Sequence, residues 1–272
     1  MGGQADAPAT SAFRVVGVIH LPPLPGSVRG SSARDLEEIL EKVRRDAVTW
    51  ASGGANALII ENFGDVPFHK GAVGPETVSA MTLAVSLACA ESGLPVGVNV
   101  LRNDVEAAVA IAAMAGGRFV RANVYAGAAV TDQGLIEGRA DAVQALIRRL
   151  DASISVWADV DVKHAAQLSP RPIGELAEDA VQRGLASAVI VSGAGTGQPT
   201  NPVDLQAVRA ALPSTPIYVG SGATDATLPS LLTIADGAII GTAAKVDGIV
   251  GNPVDPRRVR ALVASAQEVS DR

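Results

Sequence analysis

The chain reads as a single-domain (β/α)₈ barrel, a TIM barrel of the α/β class. Three observations predict it. Short β-rich runs recur eight times along the 272 residues. Helix-period segments fill most of the intervals between them. The connections are also unequal: turns leading into strands are short and glycine-marked, whereas several of those leaving strands are long. Strands alternating with helices imply right-handed crossovers and a parallel sheet, and eight such units favour closure. A doubly wound open sheet is the alternative.

In chain order, the strand runs are FRVVGVIH from Phe13, ANALII from Ala55, LPVGVNV from Leu94 and GRFVRANV from Gly117. They continue as ASISVWADV from Ala152, ASAVIVSG from Ala186, TPIYVGSG from Thr215 and ADGAIIGT from Ala235. Continuous apolar runs of this kind suit strands buried on both faces. The clearest helical segments are ARDLEEILEKVRRDAVTWA, PETVSAMTLAVSLACAE, DVEAAVAIAAMA and PVDLQAVRAAL. Asp104, Asp179 and Asp204, or their neighbours, read as capping or first-turn acids. Gly53-Gly54, Ser92-Gly93, Gly116-Gly117 and Arg183-Gly184 turn the chain into strands. The long loops, His20 to Ala33, Glu61 to Gly74, Asn123 to Gln133 and Asp159 to Pro170, all leave strands. In a barrel such loops share the C-terminal face, where active sites sit. The barrel is expected over 13–272, after a polar leader over 1–12.

Composition narrows the function classes. Lys and Arg number 22 against 28 Asp and Glu, a net charge of −6, and no basic tract occurs. A nucleic-acid partner is therefore not expected, because phosphate-backbone binding needs a clustered basic face. No apolar stretch reaches about 18 residues, so no membrane span is expected. The N-terminal segment lacks the features of a signal peptide, which makes the cytoplasm the default location. Cys89 is the only cysteine, which excludes an internal disulfide and a zinc–thiolate cluster. It reads as a buried structural thiol on a helix.

Glycines and hydroxyls after the last two strands carry the first functional signal. The turns read YVGSGAT and IIGTAAK. Gly220, Gly222 and Gly241 let backbone N–H groups approach an anion, and Ser221, Thr224 and Thr242 add hydroxyl donors. Paired glycine turns after the seventh and eighth strands are a common barrel solution for phosphate. The plain alternative is that these glycines only turn tight corners. Lys245 either reaches the anion or is a solvated lysine on the last helix.

Polar side chains at the other strand ends carry the second signal. They are His20, then Glu61, Asn62 and Asp65, then Asn99, Asn123, Asp159, Ser192 and Thr196. ADVDVKH is the densest piece, with Asp159, Asp161, Lys163 and His164 within six residues. In extended chain Asp159, Asp161 and Lys163 share one side. That trio could supply a base and an acid for proton transfer, with Glu61 and His20 as further catalytic candidates. A desolvated Lys163 could instead form a Schiff base. A structural ion pair at the barrel mouth is the non-functional alternative. Asn99, Asn123, Asp132, His164, Ser192 and Thr196 are substrate-binding candidates. Glu61, Asp159 and Asp161 could also hold Mg²⁺, which prefers carboxylate oxygen; no cofactor is required by the sequence. The stiff Pro-rich loop after His20 would set the direction of that side chain, although a histidine bonded only to loop backbone would look the same.

GVIHLPPLPGS, GANALIIENFGDVPF, GVNVLRND, RANVYAGAAVTDQGLIEGRA, ADVDVKHA, VSGAGTGQP, GSGAT and IIGTAAKVDG together closely resemble the BtpA/SgcQ family. The resemblance spans about Val15 to Val259 and implies a barrel. One member name is tied to photosystem I accumulation in cyanobacteria, another to a bacterial sugar-metabolism operon. Asp161-x-Lys163 more weakly resembles the pair of the decarboxylase and hexulose-phosphate synthase barrels. Their following Asp is missing here, and Asp159 would have to replace it.

Two functions of different classes follow. One is an enzyme on a phosphorylated sugar or nucleotide-like small molecule, by lyase or aldolase, isomerase or glycosidic-bond chemistry. The other is a non-catalytic assembly or stability factor for a membrane complex such as photosystem I. Homo-oligomer formation stays open.

Overall fold

A computed structural model describes residues 13–30, 32–162, 164–193 and 198–268. The expected leader over 1–12 lies outside the described residues, as do Lys163 and Thr196.

Eight parallel strands close into a barrel. They are β1 (Val15–His20), β2 (Ala57–Glu61), β3 (Val96–Asn99), β4 (Phe119–Ala122), β7 (Ser155–Val160), β9 (Ala188–Val191), β10 (Ile217–Val219) and β11 (Gly237–Ile240). Their order around the barrel follows the chain, and β1 pairs with both β2 and β11, so no edge is left open. Each coincides with one of the eight apolar runs. The open-sheet alternative is excluded by this closure.

The outer ring is built from α1 (Leu36–Ser52), α2 (Pro75–Ser92), α3 (Val105–Ala115), α4 (Ala140–Arg149), α5 (Ile173–Glu178), α6 (Pro202–Ala211), α7 (Leu228–Leu231) and α8 (Pro256–Gln267). Asp104 caps α3 by accepting from Ala107 N, and Asp204 lies in the first turn of α6 behind its Asn201 cap. Asp179 is the first residue of a π-helical turn, Asp179–Arg183. It follows α5 directly and holds Arg171 at 2.6 Å. Cys89 is half-buried on α2, and burial pushes its thiol up.

Two of the long loops contain secondary structure that the sequence did not reveal. The loop after β4 folds into the hairpin β5 (Ala128–Thr131) and β6 (Gly134–Glu137), and the loop after β7 adds β8 (Ala165–Gln167). Together they form a three-stranded antiparallel sheet in the order β6-β5-β8. These strands are three or four residues long and half exposed, so they bury too few apolar side chains to mark the sequence.

Inside the barrel, side chains point inward at every second residue, as strand geometry requires. One interior layer is apolar and aromatic. Phe119, Trp157 and Tyr218 stack there with ring centroids 4.0 and 4.1 Å apart. Gly97 makes room for this plug, since a Cβ there would fall 2.1 Å from the Phe119 ring. The plug closes the barrel axis below the site, so any ligand must enter from the C-terminal face.

Candidate active site at the barrel mouth

Two residues beyond the plug on each strand, the inward positions turn polar or lose their side chain. Val18, Ile59, Gly97, Phe119, Trp157, Ile190, Tyr218 and Ile239 are followed by His20, Glu61, Asn99, Arg121, Asp159, Ser192, Gly220 and Gly241. This layer is the floor of the candidate site.

Arg121 is its hub, and the sequence reading did not single it out. The guanidinium holds Asp159 with Nε at 2.9 Å and Nη2 at 3.0 Å, while Nη1 reaches Glu61 at 3.2 Å. Burial opposes its charge, but Asp159 and Glu61 more than offset this and hold Arg121 above its ordinary pKa. A signal was present. Arg121 stands in phase with Phe119 inside an otherwise buried strand, where a charged side chain needs a partner.

Asp159 is saturated. Besides Arg121 it accepts from Asn123 Nδ2 at 2.7 Å and Ser192 Oγ at 3.3 Å, and its carboxylate is fully buried. The two Glu61 oxygens face different neighbours. Oε1 accepts from Asn99 Nδ2 at 3.1 Å, while Oε2 faces His20 Nε2 at 3.8 Å. The His20 ring packs on Phe63 at 4.7 Å between centroids and against Gly241, where a Cβ would sit 2.5 Å from Cε1. Asp65 stands behind this pair as a brace. It accepts from Leu24 N at 2.7 Å and Asn62 Nδ2 at 3.0 Å, tying the Pro-rich loop to β2.

Asp159 and Asp161 do not share one extended face. β7 ends at Val160, and Asp161 adopts a left-handed backbone with φ 54. The alternation that would align Asp161 with Asp159 stops there. Asp161 is exposed and accepts from Gln167 at 3.3 Å, and His164, also left-handed with φ 57, is exposed ahead of β8. Asp132 is exposed at the tip of the β5–β6 hairpin. The Mg²⁺ trio is likewise separated, because Arg121 already bridges Glu61 and Asp159 and Asp161 lies outside the network. Among the described residues, no group of three or more His, Cys, Asp or Glu side chains is placed to hold a metal ion.

The turns after β10 and β11 do converge. They line one cleft of about 320 Å³ with His20, Glu61 and Arg121, through Gly220 to Asp225 and Gly241 to Ala243. Two expected hydroxyl donors are committed elsewhere. Ser221 Oγ donates to Gln198 O at 3.0 Å and accepts from Gly193 N at 2.8 Å, and Thr224 Oγ1 pairs with Thr227 Oγ1 at 3.1 Å. Gly222 has φ +69 and would place a Cβ 2.3 Å from Gln198 O, so its glycine is required by the loop itself. Lys245 meets neither expectation. It is fully buried behind the turn, 3.1 Å from Asp46 on α1. A second missed residue, Arg102 at the end of the β3 loop, is also buried, and that burial lowers its pKa.

Fold and site together define a (β/α)₈ barrel with a plugged axis and a polar mouth open to small molecules. The chain belongs to the BtpA family, whose sequence profile matches residues 12–268. It is 41% identical over 93% of its length to the photosystem I biogenesis protein BtpA of Synechocystis, covering 88% of that protein. An uncharacterised protein of Thermococcus kodakarensis is 45% identical, with 94% of this chain and 95% of that one aligned. Among solved structures, phosphoribosyl anthranilate isomerase of Thermus thermophilus superposes with a TM-score of 0.55 at 13% identity, covering 94% of this chain and all of the other. That likeness concerns the fold alone. No helix among the described residues is long and apolar enough to cross a membrane.

Proposed function

We propose that this protein is a cytoplasmic enzyme acting on a phosphorylated sugar or nucleotide-like small molecule. The observation that carries the reading is the shared cleft, in which the glycine turns after β10 and β11 meet the Glu61–His20–Arg121 floor. Backbone N–H groups of Gly222, Ala223, Thr242 and Ala243 would receive the phosphate, with the Thr242 hydroxyl beside them. The reacting carbons would then lie over the floor near the barrel axis.

In this reading the floor divides into two roles. Asp159, saturated by Arg121, Asn123 and Ser192, orients the guanidinium. Glu61 and His20 are the proton-transfer pair, since both line the cleft and Glu61 Oε2 faces the imidazole. Lys163 enters through its place in ADVDVKH. An imine there would add lyase or aldolase chemistry to the isomerase and glycosidic-bond alternatives. Borohydride trapping with substrate separates these, because only a Schiff base leaves a stable adduct.

The test has two stages. Mass spectrometry of molecules co-purifying with native protein, followed by thermal-shift screening of sugar phosphates, should identify a phosphorylated ligand. With an activity in hand, Glu61→Gln should reduce turnover by about 10² to 10⁴, the usual contribution of general acid–base catalysis. Unchanged kcat and KM in Glu61→Gln would sink the assignment. The name of the Synechocystis relative favours a second reading, a non-catalytic assembly factor for a membrane complex. That reading would gain if no phosphorylated compound shifted the melting temperature.

A further inference from the structure

The charged groups lining the shared cleft are Glu61 and Arg121 on the floor and Asp225 and Arg258 on the rim, with His20 as a titratable neighbour. Arg121 is consumed by its two carboxylates. Arg258 is different. It projects from the first turn of α8, and its Nη1 donates to Ala243 O at 3.4 Å, which places the guanidinium against the turn after β11. The nearest acid in sequence, Asp255, caps α8 through Arg257 N and faces Arg257 Nε at 3.8 Å. Arg258 forms no ion pair with another described residue.

We infer that Arg258 is the cationic wall of the anion subsite and restricts it to the terminal phosphate of a monoester. The inference rests on the phosphate reading of the cleft and names the form of phosphate it takes. Three separate donor sources line the same space: the turn after β10, the turn after β11 and the Arg258 fork. A monoester presents three peripheral oxygens, one for each source. In a diester one of those oxygens is alkylated and carries no charge, so one source would lose its partner while still being desolvated. A guanidinium meets phosphate through two parallel N–H groups, which makes the loss of that partner specific. Asp225 on the same rim supplies the opposing sign. Its carboxylate disfavours a phosphate, and Arg258 is the group that offsets it.

The experiment measures thermal shifts of the full chain against inorganic phosphate, methyl phosphate and dimethyl phosphate. Wild type should respond to the first two and not to the third. Arg258→Gln should raise the midpoint concentration for methyl phosphate by about tenfold or more, as expected for a lost charge-assisted hydrogen bond. Asp225→Asn should lower it. Arg257→Gln removes the same charge one residue away on a side chain that is 86% exposed and absent from the cleft lining, and it should leave the midpoint unchanged. Because Arg258 and Arg257 are both exposed on α8, both variants should fold, with circular dichroism as the check. If wild type responds to phosphate but Arg258→Gln responds equally, the Arg258 assignment is overturned and the glycine-turn reading survives. An equal response to dimethyl phosphate overturns the monoester restriction. A wild type indifferent to all three removes the phosphate reading and this inference with it.

Discussion

Two buried charge clusters lie within one barrel and have different fates. At the mouth, Arg121 joins Asp159 and Glu61 inside the strand ring. Outside the ring, between α1 and the chain after β11, Lys245 and Lys42 hold Asp46 at 3.1 and 2.9 Å. Both carry carboxylates with almost no exposed surface, and both bind their partners tightly. The first lines the cleft of the candidate site, and the second does not. The Asp46 cluster instead ties down the chain beyond the turn after β11, since Asp46 Oδ1 also accepts from Val254 N at 3.4 Å. Burial and pairing of charge therefore do not identify a site by themselves. What separates the two is whether a polar face remains toward space that a ligand can enter.

Substitutions that remove one partner at a time sharpen the contrast. Arg121→Ala should have the largest effect. It leaves two carboxylates buried without a cation, and loss of a buried partner costs about 3 to 5 kcal/mol. Urea unfolding should show a lower midpoint, and a loss below about 1 kcal/mol would mean that water or rearrangement compensates at the mouth.

Lys245→Met should cost less, about 1 to 3 kcal/mol, because Lys42 still bonds Asp46 after the change. Equal losses in the two variants would erase the distinction drawn between the clusters.

The same pair has a pH signature. Burial is the largest influence on Lys245 and, only partly offset by Asp46, brings its pKa down to about 8 from 10.5, with Lys42 and Arg45 adding to the depression. Between about 8 and 10.5 the unfolded chain then binds more protons at this position than the folded one. Stability therefore rises with pH across that window. Wild type should gain on Lys245→Met from about pH 8 upward, whereas below pH 8 the difference should be flat on this account. Parallel stability profiles at pH 7 to 10 would show that Lys245 does not titrate in that range.

Asp161→Asn should be the smallest change, within about 0.5 kcal/mol, as for most exposed positions. Once an activity is known, its turnover should also stay close to wild type. A loss of orders of magnitude would bring the outer end of β7 back into the chemistry.

The barrel was legible because its signals are local and repeated. Val15–His20, Ala57–Glu61 and Ala188–Val191 are short apolar runs, and each is set off from its neighbour by a helix-period segment. Glu61, Asn99, Asn123 and Ser192 were legible for the same reason, as polar residues at the ends of such runs. Arg121 was not, because its signal depends on knowing which alternate positions of β4 face inward. Asp161 was misplaced because the alternation rule assumes extended chain, and the left-handed turn at that residue ends it. Lys245 looked like a surface or ligand lysine, and nothing in IIGTAAKVDG announces Asp46, 199 residues away.

Sequence by itself thus determined the eight-fold alternation, the crowding of polar groups and long loops at one end of the strands, and the glycine turns after the last two. All of these follow from hydrophobic period and backbone freedom within a few neighbouring residues. Tertiary structure alone decided which charges meet. Strand pairing sets β2, β3, β4 and β7 side by side, so that the inward Arg121 binds Asp159 on the adjacent strand and Glu61 two strands away. Helix packing seals Lys245 against Asp46 on the outside. Pairing across such sequence distances depends on strand stagger and helix docking, quantities that no local pattern of residues encodes.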